Sequence, residues 1–425
     1  MSLNAQFRVL YGSPLSRPKV AKFAVIILVV MTTITTSILV KNLLTSRSLD
    51  QLRVFFLALF WSGLLSIIPI AILRFLDRRE RECTWLYVLT FLWGALIATG
   101  IAQPINALIL GYVKQFLTLH PDIQQFFGSN GVMIIGAPLA GPIVEETTKG
   151  IGVLLLFWLL QSEFDNVRDG FIYGALVGIG FNFIEAATYV LAGYVDNGIA
   201  PWGGQLIARY APLGFIGHPL FTGMFGLGLG LARQTMRVWL RYTAPIIGWL
   251  MGFSGHLYQN GLGLLIFLLG FATAKDTDAH LAKLKLGDTP PLQAFIHHGL
   301  VKPIMFLPFV LVTVVMLWQS GIWERQVICE ELASEVEPVI TKEEYEAVKS
   351  DRIFRTRRIQ NINQDTNRRT RAAIVQAQNE LAIRKWLVKQ KGQVVETDPV
   401  VLSWRNELLR LRDDKTLLHS NKQGV

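Results

Sequence analysis

Long runs of apolar residues follow one another along the first three quarters of the chain and predict membrane-spanning helices. A hydrocarbon core about 30 Å thick needs roughly 20 apolar residues in a helix. The sequence therefore predicts an all-α fold, a polytopic transmembrane helical bundle of about eight spans. The predicted spans are residues 21–40, 53–73, 86–110, 132–160, 170–194, 211–232, 243–272 and 300–320.

The pattern changes after residue 320 and becomes that of a soluble segment. Residues 330–346 are acidic, and the chain then becomes rich in arginine. Residues 370–390 predict a basic amphipathic helix. We divide the chain into a transmembrane domain, 1–320, and a basic, mainly helical cytoplasmic tail, 321–425. We interpret the tail as a solvated appendage, with membrane-surface attachment and partner docking as alternatives. The apolar side of its helix consists of Ile374, Ala377, Leu381 and Val388.

The composition supports a membrane protein and argues against a soluble enzyme, a disordered chain or a fibrous one. Hydrophobic residues make up 51% of the chain and charged residues 17%, where soluble domains carry about 25% charged residues. The mean hydropathy is +0.38. The net charge of +10 is explained by basic cytoplasmic loops, so no nucleic-acid partner is predicted. The distribution of loop lysines and arginines places both termini in the cytoplasm. Two cysteines do not form a disulfide scaffold.

Four of the predicted spans contain polar side chains that are costly in a bilayer. An ionisable residue at mid-membrane costs about 2.5–3.5 kcal/mol, so it marks a function or a partner. The site candidates are Glu145, Glu146 and Lys149 in the fourth span, Asp169 and Glu185 in the fifth, Arg209 and His218 at the sixth, and His256 and Asn260 in the seventh.

Glu145, Glu185, His218 and His256 lie at similar depths in spans that alternate in direction. With a rise of 1.5 Å per residue, they fall in the same outer half of the bilayer. Three of these spans also carry small residues four apart, which allow helix backbones to approach closely. The sequence therefore predicts a tight bundle around one polar pocket. The glycine pairs are Gly174 and Gly178, Gly226 and Gly230, and Gly248 and Gly252.

Glutamates, histidines and an asparagine in one pocket can hydrolyse an amide. A glutamate can take a proton from water, and imidazole or carboxamide groups can stabilise the oxyanion. The same residues can instead bind Zn²⁺ or another divalent metal that activates the water. Both mechanisms fit the residue types. The candidate metal ligands are Glu146, Glu185, His218 and His256.

Four motifs in order resemble the PrsW family of intramembrane proteases, which is related to the CAAX-prenyl-protease and bacteriocin-processing superfamily. They are EExxK from Glu145, DGxxYGxxxGxGFxxxE from Asp169, an R…H…T…G series from Arg209, and HxxxN from His256. The resemblance covers roughly residues 131–272, the predicted catalytic core.

The resemblance implies a multi-pass endopeptidase of the bacterial cell membrane that cleaves membrane-anchored proteins, such as an anti-sigma-factor-like single-span protein. It implies that Glu145 or Glu146 activates the water. Many relatives have Asn after the glutamate of the fifth span, where this chain has Ala186. The residues that would complete the site are Glu185, His218 and His256.

Other interpretations of the same residues stay open. Buried carboxylates and histidines also form proton or ion pathways in transporters, although the chain shows no repeated halves. A non-catalytic, membrane-binding member of the same superfamily would keep the same motifs. Asp169 and Arg209 lie near span ends, where capping or snorkelling is at least as good an explanation as catalysis. The zinc-protease signature HExxH is absent from the sequence.

Overall fold

The structure is a computed structural model that describes residues 3–45, 47–79, 81–128, 131–273, 291–352, 358–361 and 368–420. Parts of the predicted tail, 353–357, 362–367 and 421–425, lie outside the described residues.

The described residues confirm the predicted all-α fold. In these residues the only β pairing is an isolated bridge between Val336 and Ile340. The membrane part contains α1 (Leu3–Leu10), α2 (Pro18–Leu44), α3 (Leu49–Leu76), α4 (Thr84–Leu119), α5 (Pro121–Phe127), α6 (Gly131–Leu159), α7 (Val167–Asn197), α8 (His218–Gln234), α9 (Val238–Thr273) and α10 (Leu307–Leu332). The tail contains α11 (Lys342–Lys349), α12 (Arg368–Gln390) and α13 (Pro399–Ser420). Short helical segments join them at Pro14–Ser16, Gly203–Ile207, Ala208–Tyr210, Pro291–Phe295, Ile296–Val301, Lys302–Met305, Ala333–Glu335, Arg358–Asn361 and Val395–Thr397.

Five helices of the described residues are long and apolar enough to cross a membrane, namely α2, α3, α4, α7 and the helix from Leu307 to Glu335. Helices α5 and α6 meet at 90° and make a sixth span if they are counted as one. The predicted number of eight is therefore not confirmed. Helix α8 has only 17 residues. The predicted sixth span began at residue 211, but Gly214 and Gly217 have φ angles of +77° and +136°, which interrupt a helix before His218.

Helix α7 lies at the centre of the bundle. It begins with a capping box, in which the side chains of Asn166 and Asp169 each accept a hydrogen bond from the other's backbone amide. It ends at Gly198, which has a left-handed φ of +71°. In the most apolar window of α7, 72% of the residues are buried inside the protein, whereas only 6% are buried in α2. The exposed apolar surface of α2 is suited to lipid contact.

The predicted close approach of glycine-bearing helices is present between α7 and α8. A Cβ atom on Gly174 would lie 2.5 Å from the Thr222 carbonyl oxygen, and one on Gly226 would overlap the Gly170 carbonyl oxygen. Only glycine allows this separation of the two backbones. The close packing brings the start of α8, with His218, against the middle of α7.

The tail has a hydrophobic core of its own. The predicted apolar side of α12, formed by Ile374, Ala377, Leu381 and Val388, is buried in that core. That face is therefore covered by the tail itself. Helix α10 runs without a break across the boundary that composition placed at residue 321.

The N-terminal helix α1 contacts the tail. The Arg8 guanidinium lies 3.7 Å from the centre of the Trp404 ring and donates a hydrogen bond to the Ser403 hydroxyl at 2.9 Å. The tail also contacts a membrane-domain loop, since the Asn379 amide donates to the Arg79 carbonyl oxygen at 2.6 Å. The two ends of the chain thus lie on the same side of the bundle, while the side that faces the cytoplasm stays a prediction.

Candidate active site

Glu145, His218 and His256 converge at one buried point. Their side chains come from α6, α8 and α9, and all three are at least nine-tenths buried. Glu145 Oε2 lies 3.8 Å from His218 Nδ1 and 3.8 Å from His256 Nε2. This oxygen is buried without a hydrogen-bond partner. A buried carboxylate oxygen without a partner is costly, so the point between these atoms is suited to a water molecule or a cation.

In each imidazole, the ring nitrogen that points away from Glu145 contacts a second carboxylate. His256 Nδ1 lies 2.8 Å from Glu146 Oε1, and His218 Nε2 lies 2.8 Å from Glu185 Oε2. A carboxylate on one ring nitrogen fixes the tautomer and makes the other nitrogen more basic. Both rings are therefore oriented with one nitrogen towards Glu145.

Lys149 lies among the carboxylates of α6. Its Nζ donates to Glu146 Oε1 at 2.6 Å and lies 2.8 Å from His218 Nδ1, but 3.8 Å from Glu145 Oε2. The sequence pairs Lys149 with Glu145 at a spacing of four. The structure brings Lys149 closer to Glu146, at a spacing of three, which an α-helix allows as readily as a spacing of four. The other oxygen of Glu146 accepts from the Thr222 hydroxyl at 3.0 Å.

The contacts of Arg209 and Asp169 give each side chain a structural role that requires no part in catalysis. The guanidinium of Arg209 forms an ion pair with Glu185 Oε2 at 3.2 Å. Asp169 caps α7 by accepting hydrogen bonds from the backbone amides of Asp165 and Asn166. Arg209 thus neutralises the carboxylate that orients His218, and Asp169 lies away from the convergence point.

Asn260 lies one turn after His256 and reaches the same pocket. Its Nδ2 donates to the Ala137 carbonyl oxygen at 3.2 Å, which leaves the second N–H of the amide available. A Cβ on Gly141 would lie 2.6 Å from this nitrogen and 3.3 Å from His256 Nε2. Because Gly141 has no side chain, Asn260 and His256 can approach α6 closely.

Sequence analysis missed Asn106. Its side-chain amide, on α4, donates to Glu145 Oε1 at 2.9 Å. The only sequence signal is a carboxamide inside an apolar span, and α4 lies outside the four motifs. Ala186, at the position where the resemblance led us to expect Asn, is fully buried in an apolar cluster with Phe55 and Ala58 of α3.

Three ligand atoms of Glu145, His218 and His256 lie within 4.8 Å of one another, so these residues could hold a metal ion. Two histidines and one glutamate are a ligand set of catalytic zinc sites, and the unpartnered Glu145 Oε2 fits a ligand role. The predicted ligand set included Glu146 and Glu185 in place of Glu145. In the structure Glu146 and Glu185 bond to the histidines from the opposite side.

Fold and site together define an integral membrane protein with a buried glutamate–histidine centre. Residues 82–275 match the family model described as PrsW family intramembrane metalloprotease. The chain is similar to Protease PrsW of Geobacillus kaustophilus (strain HTA426), with 24% identity over 208 residues that cover 45% of this chain and 88% of that protein. No solved structure matches the chain. These matches make residues 82–275, slightly less than half of the chain, similar to the PrsW family of intramembrane proteases.

Proposed function

We propose that the protein is an intramembrane endopeptidase that hydrolyses peptide bonds of membrane-anchored substrates. Its active site would be formed by Glu145, His218 and His256. The observation that carries the proposal is the buried Glu145 Oε2, 3.8 Å from each of two imidazole nitrogens and without a hydrogen-bond partner. A water molecule placed there would contact a base and two imidazoles at once. The substrate class includes single-span proteins such as anti-sigma factors, in a bacterial cell membrane with both termini of the enzyme in the cytoplasm.

Glu145 is the carboxylate that accepts the proton of the attacking water. Both oxygens of Glu146 are engaged, by Lys149 and His256 on one side and by Thr222 on the other. Glu145 uses one oxygen to accept from Asn106 and keeps the other for the reaction. Glu146 and Glu185 hold the imidazoles in orientation, and the second N–H of Asn260 donates to the developing oxyanion.

In the metal-dependent form of the mechanism, the same three residues, Glu145, His218 and His256, would hold a divalent metal ion such as Zn²⁺. Glu145 Oε2 would then be a ligand and not the base. When bound, such an ion lowers the pKa of water and polarises the carbonyl of the scissile bond. Lys149 supplies positive charge next to Glu146. This charge offsets the mutual repulsion of the carboxylates of Glu145, Glu146 and Glu185.

The test uses purified protein in liposomes with candidate single-span substrates. Glu145→Gln is expected to lower the cleavage rate by a factor of about 10²–10⁴, the usual contribution of a general base. The control is Glu346→Gln, at an exposed glutamate of α11. Chelation is expected to abolish cleavage and added Zn²⁺ to restore it.

Each negative result contradicts a different part of the proposal. Undiminished cleavage by the Glu145→Gln variant excludes Glu145 as the base. Cleavage that resists chelation excludes the metal ion but leaves the glutamate mechanism in place. Ion uptake into the liposomes without proteolysis would favour a transporter instead.

A further inference from the structure

A cavity of about 230 Å³ opens beside His218. It lies where α7, the start of α8, α9 and the short helix Lys302–Met305 meet. The cavity directly adjoins the catalytic centre because His218, which lines it, also contacts Glu185 and Lys149. The lining residues that matter here are Asn182, Arg209, Gln259, His298 and Lys302.

Two carboxamides that line this cavity have polar atoms without partners. Asn182 is 1% exposed, and its Nδ2 has no hydrogen-bond partner. Gln259 Oε1 is likewise buried without a partner. One is a donor and the other an acceptor, and a peptide group offers one carbonyl and one N–H. An extended peptide segment in the cavity would satisfy both atoms.

The two carboxamides are held by the helices that carry the catalytic residues. Asn182 precedes Glu185 by three residues on α7, and Gln259 follows His256 by three residues on α9. Residues three apart lie on the same side of a helix. A segment held by these amides therefore lies immediately next to the bond that the centre would cleave.

The charged side chains that line the cavity are basic ones. No acidic residue of the described chain lines it, whereas Arg209, Lys302 and three histidines do. Arg209 is neutralised by Glu185. Lys302 instead donates to the carbonyl oxygens of Ala208 and Ile216, at 3.0 and 3.2 Å. An ammonium has three N–H donors, and a partly buried one with only neutral partners is stabilised by an anion.

We infer that this cavity is a substrate subsite that binds a peptide segment with an acidic side chain. Asn182 donates to a backbone carbonyl of the segment, Gln259 accepts from a backbone N–H, and the acidic side chain pairs with Lys302. This inference rests on the proposed peptidase function. It assigns the selection of substrates to residues that take no part in the activation of water.

The test incubates the full-length protein in detergent with a library of proteome-derived peptides and reads the cleavage sites by mass spectrometry. Asp and Glu are expected to be enriched at one fixed position next to the cleaved bond. The enrichment is expected to fall by about tenfold in Lys302→Gln, the loss of one charged hydrogen bond. Lys302→Arg is expected to keep it. The control is Arg233→Gln, which removes a cation that donates to the Phe157 carbonyl oxygen elsewhere in the membrane domain.

The carboxamides are tested on the peptide that the wild type cleaves fastest. Asn182→Leu and Gln259→Met are each expected to raise KM by about tenfold and to change kcat by less than about twofold, because they bind the substrate before the reaction. Gln103→Met is the matched control, since Gln103 donates to Thr188 within the bundle. The thermal midpoint of each variant shows that it is folded.

The outcomes separate the subsite from the peptidase. Cleavage without acidic enrichment, or enrichment that survives Lys302→Gln, would overturn the acidic subsite while the peptidase stands. Unchanged KM in both carboxamide variants would overturn their assignment to the backbone. If the wild type cleaves no peptide of the library and no membrane-anchored substrate, the proposed function fails and the subsite fails with it.

Discussion

The side-chain amide of Asn106 donates a hydrogen bond to Glu145 Oε1 across 2.9 Å, from α4 to the π-helical turn Gly141–Glu145 of α6. This bond fixes one oxygen of the carboxylate and directs the other towards the two imidazoles. It also links the glutamate–histidine pocket to a helix that carries none of the four motifs. Asn106 is therefore a positioning residue for Glu145.

Replacement of Asn106 by Leu should lower kcat/KM by about 10–100-fold, the usual effect of losing a partner that orients a catalytic or metal-binding group. Because Glu145 Oε1 then lacks its donor, the thermal midpoint should also fall, so activity is measured at a temperature at which the variant is folded. The comparison variant is Gln103→Leu, one turn away on α4, which should retain activity. Equal losses in the two variants would mean that α4 is merely sensitive to apolar substitution.

Glu185 accepts from His218 Nε2 on the side of the ring that faces away from Glu145. Glu185→Gln should weaken Zn²⁺ binding by about 10–100-fold, because the neutral amide no longer supports the basicity of the imidazole. Competition with a fluorescent chelator measures this affinity directly and independently of cleavage. Glu346→Gln is the control, and unaltered affinity in Glu185→Gln would remove the orienting role.

Gly141 tests whether the pocket depends on close backbone approach. A methyl group at this position would lie 2.6 Å from Asn260 Nδ2 and 3.5 Å from Glu145 Oε1. Gly141→Ala should lower activity by about 100-fold, since displacements of about 1 Å have effects of that size. No polar group is removed, so the loss would be steric.

Gly111→Ala is the matched substitution, because a Cβ at Gly111 meets no atom within 4 Å. It should keep full activity and gain up to about 1 kcal/mol of helix stability. Full activity in Gly141→Ala would show that Asn260 and His256 can shift without cost.

The sequence was sufficient to predict the helices and the polar residues that meet in one pocket. Long apolar runs and costly intramembrane charges are strong local signals, since the bilayer tolerates few alternatives. The grouping of Glu145, His218 and His256 could not be predicted in detail. Helical spacing allows Lys149 to pair with Glu145 and with Glu146. In the structure its Nζ lies 3.8 Å from Glu145 and 2.6 Å from Glu146, a difference that spacing alone does not predict.

The roles of Asn106 and of the start of α8 were missed for a similar reason. A single carboxamide in an apolar span has no sequence pattern that names its partner on another helix. The glycines at 214 and 217 have positive φ angles, and a hydropathy profile does not register backbone conformation. Both features depend on tertiary packing, which local patterns do not contain.

The junction between the tail and the membrane domain should respond to pH. Glu380 of α12 lines a cavity at this junction together with Glu163 and Arg8. Burial, and then the nearby Glu163 and Asp165, raise the pKa of Glu380 to about 8. The folded junction therefore favours the protonated carboxyl group. The contribution of this group to docking is lost as the pH rises from its ordinary pKa of 4.5 to above about 8.

Between about pH 5 and pH 8 a single such group weakens the docking equilibrium by up to tenfold per pH unit. Hydrogen exchange of α12, normalised to the intrinsic rate at each pH, should show falling protection over this range in the full-length wild type. In Glu380→Gln the protection should fall less steeply, because the amide cannot ionise next to Glu163, while Glu163 and Asp165, whose pKa values are also raised, still titrate. Glu346→Gln, at an exposed position of the same tail, should follow the wild type. A wild-type profile that is flat from pH 5 to pH 8, or an equally steep one in Glu380→Gln, would show that Glu380 does not control the docking of the tail.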